Sequence, residues 1–321
     1  MQHWFWVLPA IIFVYVIAFF ALQKWQWLDM PNTRSSHQSV TLRGLGIAFL
    51  PIVVLAWMLQ YLTGWQCIGI LFAGFTGLAA DFEWMPPLHR LLLYVIASIL
   101  FLSGSSWFGY QGWWLFFILS GLLIWINLFN FMDGINGMMA ISTLVSLITF
   151  LMLPELNEYV DFILMMIALI TSYAFFNLRK TALAFAGDVG SVVLSICLAL
   201  PMLLAISKSG KWWYLMFFGL YITDAGFTLL KRLFKGYNVL KPHRTHLYEY
   251  LANEAGMPHL KISIAYGAVQ LGINICILLN VYFNWIPPAY LAVALCFFIF
   301  LGYYFYRSRI EKKFVALPIH G

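Results

Sequence analysis

The sequence predicts an all-α polytopic integral membrane protein, and three observations predict this fold class. Hydrophobic residues make up 63% of the 321 positions and charged residues only 9%, a composition far outside that of soluble globular domains. The mean hydropathy of the chain is +0.86. Apolar runs of about 17 to 23 residues recur along the chain, and each is long enough to cross a hydrocarbon core as a helix that satisfies its own backbone.

Eleven apolar runs are predicted to span the membrane. Their approximate bounds are 4–22, 44–63, 65–80, 88–106, 113–131, 136–153, 160–177, 188–206, 211–230, 262–283 and 287–306. The first run is expected to be a retained span, because it is longer and more aromatic than a cleaved signal peptide and no basic residue precedes it. We therefore expect a single transmembrane domain over residues 1–321, without a separate soluble domain.

The distribution of Lys and Arg predicts the orientation of these spans. If the N-terminus lies outside, every Lys and Arg except Lys208 and Lys211 falls on the cytoplasmic side. Because cytoplasmic loops carry an excess of positive charge, we expect the N-terminus outside and the C-terminus in the cytoplasm. The cytoplasmic loops that would form a site are residues 23–43, 79–90, 131–136, 177–188 and 231–261.

The polar clusters of the chain all fall in these cytoplasmic loops, whereas the external connections are short or featureless. A pore or carrier is expected to carry polar groups through the middle of its spans, where such groups are costly and mark a pathway. Only Asp224 lies within a predicted span, near its cytoplasmic end. The pattern therefore favours a membrane-surface enzyme over a transporter.

Asp133 and Asp188 are the candidate metal ligands among the carboxylates. A hard cation such as Mg²⁺ binds one or two carboxylates and keeps positions for substrate phosphates. Asp188 directly precedes an apolar run in "AGDVGS", where the glycines on both sides would let a bulky ligand approach the backbone. A plain N-cap role for Asp188 is the alternative, and it is compatible with a phosphate site because helix N-termini favour anions.

The segment "WINLFNFMDGINGMMA" places Asn127, Asn130, Asp133 and Asn136 at steps of three residues. On a helix the first three share an arc of about 120°, but Asn136 falls on the far side from Asn127. Asn136 would join the others only if the helix breaks near Gly134, and "DGING" favours such a break. The alternative is a turn between two spans whose amides satisfy helix ends.

The basic loop "KPHRTH" brings together His243, Arg244 and His246. Phosphate binding is the favoured interpretation, because charge-assisted donors are the usual partners of diphosphates. A zinc site is disfavoured by the intervening Arg and the lack of a nearby Cys, and attraction to the membrane surface remains open. The same choice applies to Arg34 and His37 in "PNTRSSH".

Five polar motifs follow one another in a fixed order: "PNTRSSH…TLRGLG", "AADFEWMPPLHRLLL", "NLFNFMDGING", "FAGDVGS" and "PHRTHLYEYL". In this order they resemble the polyprenyl-phosphate N-acetylhexosamine-1-phosphate transferase superfamily. The chain looks most like the bacterial members that start O-antigen or other surface polysaccharides on undecaprenyl phosphate. The resemblance runs from about residue 29 to residue 265.

The resemblance implies a multi-pass enzyme of the bacterial inner membrane whose active site faces the cytoplasm. Such an enzyme uses Mg²⁺ or Mn²⁺ to transfer a HexNAc-1-phosphate from a UDP-N-acetylhexosamine, such as UDP-GlcNAc, to undecaprenyl phosphate, and it releases UMP. This would be the first membrane step of lipopolysaccharide O-antigen or other cell-surface polysaccharide synthesis. Membrane lipid surrounds the enzyme, a homodimer is consistent with the family, and no nucleic-acid partner is expected.

The resemblance also carries roles onto individual residues. Asp188 and Asn136 match metal positions, and Asn136 would be a neutral and weaker ligand where many bacterial members have Asp. Asp81 and Asp133 match acidic positions of catalytic motifs. The remaining matched positions imply substrate binding: Arg34, His37, Arg43, Asn127, Asn130, His243, Arg244 and His246.

One motif departs from the family pattern, because adjacent aspartates in the second cytoplasmic loop are replaced here by Ala80-Asp81. The first of these aspartates is proposed in the family as the base that deprotonates the lipid phosphate. A phosphate monoester is already mostly ionised near neutral pH, since its second pKa is around 6. Reduced activity, an introduced substitution and a catalytically silent member that binds UDP-sugar or lipid are all consistent with Ala80. A lipid-linked sugar transporter is the weaker alternative.

Overall fold

The structure is a computed structural model that describes residues 4–31, 36–37, 39–105, 112–238 and 244–315. It confirms the all-α fold class. The helices are α1 (Trp4–Lys24), α2 (Phe49–Met58), α3 (Gly64–Asp81), α4 (Pro87–Ser103), α5 (Trp113–Met132), α6 (Met138–Leu151), α7 (Val160–Asn177), α8 (Gly187–Ser209), α9 (Gly219–Phe234), α10 (Leu247–Glu249), α11 (His259–Phe283) and α12 (Pro288–Ile310). Short 3₁₀ segments, Leu45–Ala48, Pro154–Tyr159 and Trp212–Phe218, lead into α2, α7 and α9.

Every predicted span coincides with one of these helices, and only α10 lies outside them. The predicted span 44–63 is wrong at its end, because α2 stops at Met58 and Gln60 takes a positive φ of 62°. Thr63 then caps α3 through a hydrogen bond that its side chain accepts from the backbone of Gln66. A capping residue at this position starts a new helix, so the two spans are separated by a short turn.

Seven helical segments of the described chain are long and apolar enough to cross a membrane. They are Trp4–Lys24, Trp113–Met132, Pro154–Asn177, Gly187–Ser209, Trp212–Phe234, His259–Phe283 and Pro288–Phe314. Leu45–Met58, Pro87–Ser103 and Met138–Leu151 are apolar but shorter. The multi-pass architecture is thus confirmed, whereas the number of spans, the orientation of the termini and the single domain with its cytoplasmic loops stay predictions.

A two-stranded hairpin that the sequence did not predict lies between α1 and α2. Its strands β1 (Leu28–Asp29) and β2 (Thr41–Leu42) pair in antiparallel register. The carbonyl of Leu42 also accepts a hydrogen bond of 2.8 Å from the backbone N–H of Phe185, just before α8. The first polar loop is therefore attached by backbone hydrogen bonds to the loop that precedes α8.

Helix α8 forms the centre of the bundle, and most of its residues are buried. Its first turn lies against the backbone of the 3₁₀ segment before α2, at Gly46. A Cβ added to Gly46 would come within 2.2 Å of Gly190 Cα and 2.7 Å of the Ala186 carbonyl oxygen. Small residues allow such backbone contacts between membrane helices, so Gly46 and Gly190 set the position of the α8 N-terminus.

We predict that Gly46→Ala lowers the stability of the protein by about 1–3 kcal/mol, because the new methyl group meets backbone atoms that cannot move aside. The measurement is thermal unfolding of the purified protein in detergent. Gly121→Ala in α5 is the matched control, since nothing lies within 4 Å of the added Cβ there. Equal losses in the two variants would contradict the close approach at Gly46.

Candidate active site

Asp81, the last residue of α3, binds the N-terminus of α8. Its Oδ1 accepts a hydrogen bond from the backbone N–H of Asp188 at 2.8 Å, and its Oδ2 accepts one from Val189 at 3.1 Å. A carboxylate here satisfies N–H groups that a helix leaves unpaired and complements the positive end of its dipole. Gly187 permits the approach, because its φ is +74° and an added Cβ would lie 2.6 Å from Asp81 Oδ2. The Asp81 carboxylate therefore holds α3 and α8 together.

Arg43 completes the bonding of this carboxylate. Its Nε and Nη2 atoms both lie 3.0 Å from Asp81 Oδ1. Arg43 directly follows β2, which is attached to the loop before α8, so the hairpin positions the guanidinium against α3. A charge-assisted contact of this kind is among the stronger hydrogen bonds in proteins.

Asp188 projects from the first turn of α8 and is 22% exposed. Its Oδ2 accepts a hydrogen bond of 3.0 Å from Nη1 of Arg90, near the start of α4. The structure does not support the plain N-cap alternative, because the carboxylate that receives the first backbone N–H groups of α8 belongs to Asp81. The Asp188 side chain instead points into two cavities.

The predicted helix break in the "DGING" segment is confirmed. Helix α5 ends at Met132, α6 begins at Met138, and Gly137 takes a φ of +82° before the new helix. Because Gly137 adopts this left-handed conformation without steric cost, the chain reverses direction within a few residues. Asp133 and Asn136 thus lie in the connection between the two helices.

The two amide side chains of α5, Asn127 and Asn130, form different kinds of hydrogen bond. Asn130 donates a hydrogen bond of 3.1 Å from Nδ2 to Oγ of Ser191 and so joins α5 to α8. Asn127 donates from Nδ2 to the carbonyl of Leu123 in its own helix at 2.8 Å. Both amides line the site, but Asn130 also contributes to packing between helices.

Asn136 is buried in the α5–α6 connection. Its Nδ2 donates to the backbone carbonyls of Arg179 at 3.0 Å and Lys180 at 3.3 Å. The backbone carbonyl of Asn136 accepts a hydrogen bond of 2.8 Å from Oγ of Ser263. The side-chain oxygen Oδ1 is buried without a hydrogen-bond partner among the described residues. A buried oxygen in this state is costly unless a cation or a donor from a ligand satisfies it.

Asp133 lies within electrostatic range of the carboxylates of Asp188 and Asp81. Burial, together with the negative charges of Asp188 and Asp81, raises the pKa of Asp133 well above its usual range. Loss of water and nearby negative charge both disfavour the ionised form of the carboxyl group, so its pKa rises. A bound cation would offset this repulsion.

Two adjoining cavities contain these groups. The first has a volume of 330 Å³ and is lined by polar side chains that include Asp133, Asn136 and His259. The second has a volume of 450 Å³ and adds the apolar side chains of Leu91 and Ile126 to its wall. Both cavities share Arg43, Asn130, Gly134, Asp188 and Glu249.

The basic loop contributes to the second cavity. His246 is only 2% exposed, lines this cavity and lies with Nδ1 3.5 Å from Asp224 Oδ1. Arg244 lies 3.4 Å from Glu254, outside both cavities. The predicted substrate-binding residues Arg34 and His243 lie outside the described residues.

His37 lies on the other side of the site and lines the first cavity. Its Nε2 is 3.8 Å from Oδ2 of Asp29, and its ring packs edge-on against Phe185. His37 lies between the two strands of the hairpin, and Phe185 lies in the loop before α8 to which the hairpin is attached. The His37 ring is therefore placed by the same attachment that places Arg43.

Asp224 is fully buried and anchors the loop that contains His246. It accepts hydrogen bonds from the hydroxyls of Tyr266 at 2.7 Å and Tyr303 at 2.8 Å, and from the backbone N–H of Leu247 at 3.0 Å. A buried carboxylate needs this number of donors to offset the loss of water. The Asp224 carboxylate thus ties α9, α11 and α12 to the start of α10.

Three side chains of the site were missed by the sequence analysis. Arg90 binds Asp188, Glu249 lines both cavities, and His259 lines the first cavity beside Asn136. Arg90 and Glu249 lie within quoted motifs, so motif position was an available signal for them. His259 begins α11, 123 residues along the chain from Asn136, and only the packing of the helices brings the two together.

Known proteins are similar to this chain over a range that includes Asp81, Asp133 and Asp188. Residues 65–207 match the family model described as glycosyl transferase family 4. The phospho-N-acetylmuramoyl-pentapeptide-transferase of Streptococcus uberis is 26% identical over 186 residues, which cover 50% of this chain and 54% of that protein. The corresponding protein of Streptococcus agalactiae serotype III is 29% identical over 187 residues, with the same shares covered. The chain spans about half the length of the curated relatives it matches.

We predict that Asp81→Asn destabilises the fold by about 1–3 kcal/mol, because the amide has one acceptor oxygen for two backbone N–H groups and leaves the Arg43 guanidinium without an opposite charge. Asp188→Asn is the matched control, since its single pair with Arg90 is partly exposed and is worth about 1 kcal/mol or less. Thermal unfolding in the absence of substrates measures both variants. A larger loss in Asp188→Asn would contradict the anchoring role of Asp81.

We also predict that the stability conferred by Glu249 depends on pH. Burial raises the pKa of Glu249 from 4.5 to about 7. The unfolded chain therefore loses this proton first, and the contribution of Glu249 to folding stability decreases as pH rises from about 4.5 to about 7. Unfolding of the wild type and of Glu249→Gln, compared at about pH 5 and about pH 8, measures the effect. The free energy of unfolding of the Gln variant should rise relative to that of the wild type at the higher pH. A difference that stays constant between the two pH values would contradict the raised pKa of Glu249.

Proposed function

We propose that this chain, which belongs to the polyprenyl-phosphate hexosamine-1-phosphate transferase superfamily, transfers a HexNAc-1-phosphate from a UDP-N-acetylhexosamine to undecaprenyl phosphate. The observation that carries the proposal is the pair of adjoining cavities, one polar and one with an apolar wall, that share Asp188, Asn130 and Arg43. A reaction between a polar donor and a lipid acceptor needs two such spaces that meet at the reacting phosphates.

The two cavities differ in a way that suits these two substrates. The sugar nucleotide fits the first cavity, where amide, imidazole and carboxylate groups surround it. The phosphate end of the lipid fits the second cavity, where Arg90 supplies charge and Leu91 and Ile126 supply apolar contact. Arg43 and Asp188, at the shared boundary, would lie beside the reacting diphosphate.

The oxygen donors that line the first cavity fit a hard divalent cation such as Mg²⁺ or Mn²⁺. Asp188 would hold the ion through a carboxylate oxygen, and Asn136 would offer the buried Oδ1 that has no partner among the described residues. No cluster of three or more His, Cys, Asp or Glu with metal-site geometry occurs within the described ranges. This composition suits Mg²⁺, which binds one or two carboxylates and takes further oxygens from substrate phosphates and water. When bound, the cation offsets charge on the diphosphate.

The proposed reaction needs positioning more than covalent chemistry from the protein. An oxygen of the lipid phosphate attacks the sugar-linked phosphorus, a new P–O bond forms, and the bond to the UMP oxygen breaks so that UMP leaves. Arg90 and Arg43 stabilise negative charge on the two phosphate groups. The lipid phosphate is already largely ionised near neutral pH, so Ala80 does not remove an essential proton acceptor.

Asp81 has a positioning role in this scheme. Both of its oxygens accept hydrogen bonds from the start of α8, and Arg43 occupies one of them as well. The carboxylate therefore holds Asp188 and Arg43 at the boundary between the cavities. Asp133 faces the first cavity and would bind the donor or support the cation.

A catalytically silent member is the second candidate function, and Ala80 is the observation that favours it. Ala80 lines the second cavity together with Arg90 and Asp188. A protein of this kind would bind UDP-sugar or lipid without turnover. The setting of the active protein would be the cytoplasmic face of a bacterial inner membrane, at the first step of O-antigen or related polysaccharide synthesis, as a monomer or a homodimer.

We predict that the purified protein releases UMP from a UDP-N-acetylhexosamine only with undecaprenyl phosphate and Mg²⁺ present, and that EDTA stops the release. Asp188→Asn should lower kcat by about 100-fold or more, because it removes a charged ligand of the cation, while the thermal unfolding temperature stays close to that of the wild type. The assay uses a panel of N-acetylhexosamines. Wild-type activity of Asp188→Asn at limiting Mg²⁺ would remove Asp188 from the metal site.

The same assay separates the two candidate functions. No UMP release from the wild type with any sugar, together with activity in Ala80→Asp, would identify the silent member. Release from the wild type would support the transferase. UDP-sugar binding to the inactive protein, measured by calorimetry, would distinguish a silent binder from a protein with neither property.

A further inference from the structure

A third cavity, separate from the candidate active site, lies between the cytoplasmic end of α9 and the end of α12. It has a volume of 430 Å³. Five cationic side chains line it, and one carboxylate opposes them: Lys231, Arg232, Lys235, Arg307, Lys312 and Glu311. Thr245 and Tyr250 of the segment around α10 complete the wall.

The single carboxylate of this cavity is already neutralised. Nζ of Lys231 lies 2.7 Å from Glu311 Oε1, and Nε of Arg307 lies 2.9 Å from the same oxygen. Lys235 and Lys312 are exposed and form no ion pair with any described residue. The cavity therefore has an excess of positive charge, and an anion would reduce the repulsion between these side chains.

An apolar surface continues from this cavity along α12 towards the middle of the membrane. Tyr304 and Phe300 precede Ser308 at steps of four residues, so the three side chains lie on one face of the helix. Tyr304 is 45% exposed and Phe300 is 51% exposed, and both rings pack against Phe227 of α9. The junction between α9 and α12 is therefore basic at the cytoplasmic end and aromatic further in.

We propose that this junction binds an anionic phospholipid, with its phosphate in the basic cavity and an acyl chain along Tyr304 and Phe300. Basic pockets between helices on the cytoplasmic side are suited to lipid headgroups that carry phosphate. A free phosphate would satisfy only the charged half of the site. The charge and the adjoining aromatic surface together favour a lipid over a soluble anion.

The lipid site is linked to the candidate active site through Arg307. Its Nη2 donates a hydrogen bond of 2.7 Å to the carbonyl of Thr245, the residue before His246. Its Nη1 donates to the hydroxyl of Tyr303, which in turn donates to the buried carboxylate of Asp224. A phosphate bound beside Arg307 would thus stabilise the segment that carries His246.

The test is lipid binding by the full chain purified in detergent. Native mass spectrometry measures the retention of dioleoyl phosphatidylglycerol and of dioleoyl phosphatidylcholine at equal concentration. We expect the wild type to retain the anionic lipid in preference. The double variant Lys235→Gln/Lys312→Gln should bind it about 25-fold more weakly, at about fivefold for each charge near a lipid headgroup. Both lysines are exposed, so the substitutions do not disturb the core.

Lys24→Gln is the matched control, because it removes one exposed charge from the end of α1, away from the cavity. Its lipid retention should equal that of the wild type. Equal retention of the two lipids, or an unchanged double variant, would overturn the proposal.

Two further arms identify the ligand. Short-chain dihexanoyl phosphatidylglycerol should bind more weakly than the dioleoyl form if an acyl chain lies along α12. Inorganic phosphate should stabilise the protein less than the anionic lipid does in a thermal unfolding assay. Full stabilisation by phosphate alone, without retained lipid, would show that the site takes a soluble anion and would overturn the lipid assignment.

Discussion

The geometry of the candidate site depends on the contact between the carboxylate of Asp81 and the N-terminus of α8. Two backbone N–H groups and the guanidinium of Arg43 replace the water that this buried carboxylate loses. The contact joins the end of α3, the start of α8 and the hairpin before α2. Because Asp188 immediately follows Gly187, the same contact sets where the proposed metal ligand enters the cleft. Asp81, which the sequence places in a catalytic motif, therefore has a structural role: its carboxylate connects α3, α8 and the hairpin.

A second buried carboxylate organises the opposite wall of the cleft. The Asp224 carboxylate accepts hydrogen bonds from tyrosine hydroxyls of α11 and α12 and from a backbone N–H of α10. Charged groups within membrane helices are expensive, and they persist where several donors surround them. Here the Asp224 carboxylate holds the segment with His246 and Glu249 against the second cavity, so this buried charge supports the candidate site.

The candidate site extends beyond the residues that the family comparison covers. The match over 65–207 includes Asp81, Asp133 and Asp188. Arg43 and Glu249, which line both cavities, come from segments on either side of that range. The matched range thus contains the proposed cation ligands and Arg90, whereas the flanking segments add Arg43 and complete the walls.

The apolar runs predicted the all-α membrane fold and the approximate position of every described helix except α10, because a long apolar run in a membrane satisfies its backbone as a helix. The sequence also determined the break at "DGING", since glycine permits the conformation that reverses the chain there. It did not determine what each polar residue contacts. The pairing of Asp81 with α8, the unpartnered oxygen of Asn136 and the arrival of His259 beside it involve residues far apart in the chain. Only the packing of the helices decides such contacts, because the free energy of a buried polar group depends on which donors and acceptors surround it.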